Sequence, residues 1–124
     1  VVGVVALLGV LSWGCDPGWF LYARNNSAET VLVRLASLAF TDVYEVPPGF
    51  EGRLYAEIGT FEGGVELLNP QCDLLDDARL PEAGAVLVTI HPELVVTVES
   101  IGFDDIDGPS AVEIEGRCGS TSAP

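Results

Sequence analysis

Apolar side chains recur at every second position through most of this chain, and that period limits the fold more than any other feature. In TVLVRLAS, Val31, Val33 and Leu35 fall on one face, with Thr30, Leu32, Arg34 and Ala36 on the other. RLYAEI sets Leu54, Ala56 and Ile58 against Arg53, Tyr55 and Glu57. VLVTIH groups Val86, Val88 and Ile90; LVVTVE groups Leu94, Val96 and Val98 against Val95, Thr97 and Glu99. AVEIEG alternates Val112 and Ile114 with Glu113 and Glu115. Successive side chains of a strand point to opposite faces, so this period with one apolar side marks half-buried antiparallel strands. The valine, isoleucine and threonine content agrees. No stretch carries a capped 3.6-residue apolar period. QCDLLDDARL comes nearest, with Pro70 as a start, and reads better as a strand end and loop.

The breaks between these segments carry turn chemistry. RNNSAE can reverse the chain because asparagine tolerates a left-handed backbone. In VPPGF, Pro48 and Gly49 suit the two central positions of a type II turn, and HPEL places Pro92 where a type I turn favours proline. Segments of about 5–8 residues between signals recurring about every 8–15 predict a sandwich or barrel. A length of 124 residues suits one domain. The expectation is an all-β antiparallel sandwich of about seven strands over residues 19–118, with the small polar tail at 119–124 outside it. At the level of class this resembles small exported immunoglobulin-like modules.

The first 13 residues depart from the alternation. Val1 to Trp13 is apolar except at Gly3, Gly9 and Ser12, with no charge before Asp16. Such a run is short for a membrane span and suits the hydrophobic region of a secretory signal. The absence of methionine suggests that an upstream leader precedes Val1. Gly14 followed by Cys15, just after the apolar run, resembles the lipobox of bacterial lipoproteins, in which the cysteine is acylated and becomes the new N-terminus. Ser12 and Trp13 stand where that family has leucine and a small residue. The resemblance covers the first 15 residues and implies residues 1–14 as signal, Cys15 as the lipidated residue, 15–18 as a short linker and membrane attachment through the N-terminus. Other readings of the same residues stay open: ordinary signal cleavage after Gly14, and, as a third, either a buried strand or helix over Val1 to Leu11 or part of a membrane span over residues 1–13. The first two of these three readings place the chain outside the cytoplasm. Three cysteines are an odd number, and with Cys15 acylated, Cys72 and Cys118 remain to form a disulfide.

Nineteen acids against five arginines, with no lysine, give a formal charge of −14. That balance repels phosphate backbones and anionic lipid surfaces, which excludes nucleic acid as a partner and electrostatic docking to a membrane.

Little in the chain carries catalysis. His91 is the only histidine; it precedes Pro92 at an expected turn, and no Gly-x-Ser-x-Gly elbow accompanies it. The cysteines are too far apart for a zinc knuckle. Asp104, Asp105 and Asp107 in GFDDIDGPS crowd their charges, and a hard cation such as calcium would relieve the repulsion with oxygen ligands. The Asp-x-Asp-Gly ending at Gly108 resembles the middle of an EF-hand loop, but Phe103 and Ile114 stand where that loop needs its first and last acids. Asp76 with Asp77 is a weaker acidic pair. Tyr55 is expected on the outer face, open to a partner, and Asn25-Asn26-Ser27 fits a glycosylation acceptor. The reading that follows is an exported, lipid-anchored, non-catalytic binding or structural module of a bacterial cell envelope, with a protein or glycan partner. The rival is a calcium-dependent or acid-using envelope enzyme.

Overall fold

A computed structural model describes residues 18–37, 40–58, 62–82, 84–102, 106 and 108–119. They form nine strands: β1 (Gly18–Asn25), β2 (Val31–Ser37), β3 (Thr41–Val46), β4 (Glu51–Ile58), β5 (Gly63–Leu68), β6 (Leu74–Arg79), β7 (Gly84–Ile90), β8 (Val96–Ile101) and β9 (Val112–Glu113). Two sheets result, with strand orders β4-β1-β7-β8 and β6-β5-β2-β3-β9. They pack as a β-sandwich, as the alternation predicts. Between them lies one core of Trp19, Leu21 and Ala23 from β1, Val31, Val33 and Leu35 from β2, Val65 and Leu67 from β5, and Val86, Val88 and Ile90 from β7.

Two features differ from the expected antiparallel sandwich of about seven strands. First, β1 pairs with β7 in parallel, from Trp19 opposite Gly84 to Asn25 opposite Ile90. A parallel pair needs a long crossover, and the chain from β2 to β6 supplies it, through β2, β3, β5 and β6 of the other sheet with β4 placed on the far side of β1. Second, the strand count exceeds seven. LLDDAR, expected as a strand end and loop, is the edge strand β6, paired only with β5. An edge strand of this kind is exposed on both faces over much of its length, so no apolar period announces it.

Both outer faces are partly covered. On the first sheet, Tyr22, Ala85 and Leu87 pack under Ile106, which explains why β7 is buried from Ala85 to Ile90 rather than alternating. On the second, Leu32, Val43 and Leu68 pack under Ile114 and Cys118. The covering residues belong to one segment. After β8 the chain reaches the outer face of the first sheet at Ile106 and crosses the β4 edge, where Ser110 bridges Arg53. It then adds β9 to the β3 edge and ends on the outer face of the second sheet. This C-terminal strap is seated at two glycines. A β-carbon on Gly52 would collide with the carbonyl of Pro109, and one on Gly108 with the carbonyl of Glu51.

The turns follow their chemistry. Phe50 N–H donates to Pro47 O at 3.1 Å with Gly49 at φ 78°, the type II turn predicted at Pro48-Gly49. Leu94 N–H donates to His91 O at 2.9 Å, closing the turn at Pro92. The β1–β2 reversal works differently from the expectation. Asn25 makes it with its side chain: Nδ2 donates to Glu29 O at 2.9 Å and Val46 O at 3.0 Å, while Oδ1 accepts from Ser27 N at 2.9 Å and Ser27 Oγ at 2.7 Å.

Candidate functional site

The strand directions place all connections at two ends of the sandwich. The β1–β2, β3–β4, β5–β6 and β7–β8 turns share one end; Gly18, where the chain enters β1, lies at the other. Cys72, beside the β5–β6 turn, and Cys118, on the strap, are joined: S–S is 1.92 Å and the Cα atoms are 5.4 Å apart. The bridge fastens the end of the strap over the second sheet. Arg34 completes the attachment, with Nε on Glu66 Oε1 at 2.7 Å and Nη1 donating to Cys118 O at 2.6 Å.

Other expected site residues fare differently. Cys15, Asp104, Asp105 and Asp107 lie outside the described residues. Among the described residues no three or more of histidine, cysteine, aspartate and glutamate are grouped to hold a metal ion. His91 sits at the end of β7, and its Nε2 shares a 2.7 Å hydrogen bond with Thr97 Oγ1. Asn25 is buried at 1 % exposure with its amide nitrogen donating twice, so the folded chain offers no acceptor there for a glycan. Tyr55 does not stand on the outer face. The β1–β4 ladder skips Leu54, so that Leu21 faces Tyr55 and Tyr22 faces Arg53. That bulge breaks the alternation and turns both Leu54 and Tyr55 toward the core. The Tyr55 ring lies 5.8 Å from Trp19 and 5.5 Å from Phe40. The indole of Trp19 is held by Nε1 donating to Pro81 O at 2.9 Å.

One polar group within the sandwich was not foreseen. Asp42 is buried, and Tyr44 Oη donates to its Oδ2 at 3.2 Å. Glu113 of β9 lies opposite Tyr44. Burial and then the Glu113 charge raise the Asp42 carboxyl above its ordinary value, against the lowering effect of the Tyr44 hydrogen bond. Tyr44 is pushed strongly upward, first by burial and then by the charges of Asp42 and Glu113, so it stays a protonated donor. Asp42 carries no sequence signal beyond being one of two acids, with Glu45, in β3. Its proximity to Glu113 follows from the strap.

The opposite side of the sandwich is arranged otherwise. There β6 and β8 are the outermost strands, and no strap crosses them among the described residues. Val96 N–H of β8 donates to Asp76 Oδ2 of β6 at 2.8 Å, a direct tie between the sheets. The β5–β6 ladder shifts register between Leu67 and Leu68, leaving Leu75 as the extra residue of a bulge. Leu74 is 55 % exposed, Leu75 36 % and Val95 41 %. Two adjoining open depressions of about 330 and 300 Å³ share Gly63 and Arg79, one walled by Asp77 and Ala78, the other by Ala36, Ser37 and Glu62. They are shallow features of a sheet surface rather than an enclosed cleft.

Comparison of the chain with protein families, with curated proteins and with solved structures finds no match.

Proposed function

We propose that the chain is an exported, envelope-tethered, non-catalytic β-sandwich of the immunoglobulin-like kind, held to a bacterial membrane through Cys15 and acting as a binding or structural module. The observation that carries this reading is the pairing of Cys72 with Cys118. A structural disulfide belongs to oxidising compartments outside the cytoplasm. It also leaves Cys15 as the odd cysteine, directly behind an apolar run of signal-peptide length. The strand layout supports the tether as well. Gly18 follows Cys15 by three positions and starts β1 at one end of the sandwich, which leaves the four turns of the other end facing away from the attachment.

Intact mass of the protein from its source organism, with separation of membrane and soluble pools, tests the proposal. The expected species starts at Cys15, carries acyl chains and sits in the membrane pool; Cys15→Ser moves it to the soluble pool. A chain that keeps residues 1–14 with an unmodified Cys15 would overturn the tether.

A further inference from the structure

The two sides of the sandwich are treated in opposite ways. On one side the strap adds β9 to the β3 edge and bridges β4; its end then passes Arg34 of β2 to the disulfide at Cys72 in the β5–β6 turn. Unpaired strand edges are templates for other chains, and covering them is how folded proteins avoid unwanted pairing. On the other side, among the described residues, no strand pairs with the outer edge of β6. Leu80 N–H donates to Gly63 O at 3.2 Å, which fixes the phase of the β5–β6 ladder. Alternate residues of an antiparallel strand then turn their backbone groups away from the partner, and for β6 these are Asp77 and Arg79. Next to that stretch, Leu74, Leu75 and Val95 form three of the four large apolar side chains most exposed on the described surface. Val95 adjoins them because the next residue, Val96, is bonded to Asp76.

We infer that the β6 edge, Leu74 to Arg79 with Val95 beside it, is a docking surface that takes an extended segment of a basic, partly apolar partner as an added strand. Charge selects the occupant. Asp73, Asp76, Asp77 and Glu93 lie in or beside the edge in sequence, against Arg79 and, at the β5–β6 turn, Arg117, whose Nη2 donates to Pro70 O at 2.6 Å, within a chain of net charge −14. A second copy, itself of net charge −14, meets the general repulsion of the first. An anionic partner meets the same repulsion, whereas lysine or arginine side chains on an added strand meet carboxylates. The Leu75 bulge interrupts the regular ladder above Asp76. Backbone pairing is thus confined to Asp76–Arg79, and the exposed leucines and Val95 serve as the apolar anchor above it. Backbone bonds supply affinity and side-chain contacts supply specificity in this mode of recognition.

The inference deepens the reading of a binding module but does not depend on the tether, so it is tested in solution on the full chain with its disulfide intact. The probe is a capped octapeptide alternating lysine and valine, followed by amide NMR. Saturable shifts confined to residues 74–79 and Val95 are expected. A peptide with glutamate in place of lysine, and one with alternate backbone nitrogens methylated, should each bind at least tenfold more weakly. Asp77→Pro, which removes an outward amide, should weaken binding at least fivefold with the disulfide and circular dichroism unchanged. Equal binding by the methylated peptide would mean charge attraction without strand pairing, and would overturn the inference whether or not the proline variant folds. So would shifts centred on the strap, the absence of binding, or sedimentation showing a dimer closed through β6.

Discussion

The backbone amide of Val96, on one sheet, donates to the carboxylate of Asp76, on the other, at 2.8 Å. It ties β8 to β6 on the side of the sandwich that the strap leaves open. Asp76→Ala removes the acceptor and leaves a half-buried amide without its partner, at a cost of about 1–3 kcal/mol. Asp76→Asn keeps an oxygen at the same place and should lose less. Urea unfolding of the two variants gives the comparison, and equal losses would mean that the tie contributes nothing.

The strap should depend on its disulfide. Cys72 and Cys118 are 46 positions apart, and closing a loop of that length stabilises by about 4 kcal/mol in the chain-entropy model. Replacing both by serine should lower the denaturation midpoint accordingly. Hydrogen exchange should quicken first at Ile114, whose N–H donates to Val43 O at 2.8 Å. Uniform acceleration across all strands would show that the strap does not open on its own.

Two glycines permit the strap to cross β4. Gly52→Ala drives a methyl into the carbonyl of Pro109, and Gly108→Ala drives one into that of Glu51. Each should cost about 1–3 kcal/mol, the range for forcing extra volume into a packed site. Gly49→Ala has open space around it but sits at φ 78°. It should destabilise through backbone strain alone, leaving the exchange rate at Ile114 in step with the rest of the sheet. Thermal unfolding and amide exchange separate the two classes.

Asp42 makes stability depend on pH in a known direction. Its folded-state carboxyl is raised by burial and by Glu113, so the folded chain holds that proton more tightly than the unfolded chain does. The stability this contributes is complete below the ordinary aspartate value and is lost as pH rises through the raised one. Asp42→Asn stays neutral throughout and its oxygen still accepts from Tyr44. The variant should match the parent in Tm at strongly acid pH and exceed it by a few degrees at neutral pH. A Tm difference that is flat with pH would remove Asp42 from the account.

The alternation at Val31, Val33 and Leu35, or at Val86, Val88 and Ile90, was enough to determine strands and their core faces, because a strand exposes side chains to two sides regardless of its neighbours. Pro48-Gly49 and Pro92 likewise fixed their turns locally, through a preset φ and a residue tolerant of positive φ. The cysteine count and the acidic balance were also legible without coordinates. What the tertiary structure decided is what depends on residues distant in the chain. The bulge at Leu54 turned Tyr55 inward, because Trp19 and Phe40 offer it a contact that no local pattern encodes. The burial of Asn25 removed a glycosylation acceptor, because Glu29 and Val46 need its donors. The parallel pairing of β1 with β7, the carboxyls of Asp42 and Glu113 at one seam, and the choice of which edge is strapped and which is left open all come from how the two sheets close on each other. Periodicity reports which way a side chain points; only packing determines what stands opposite it.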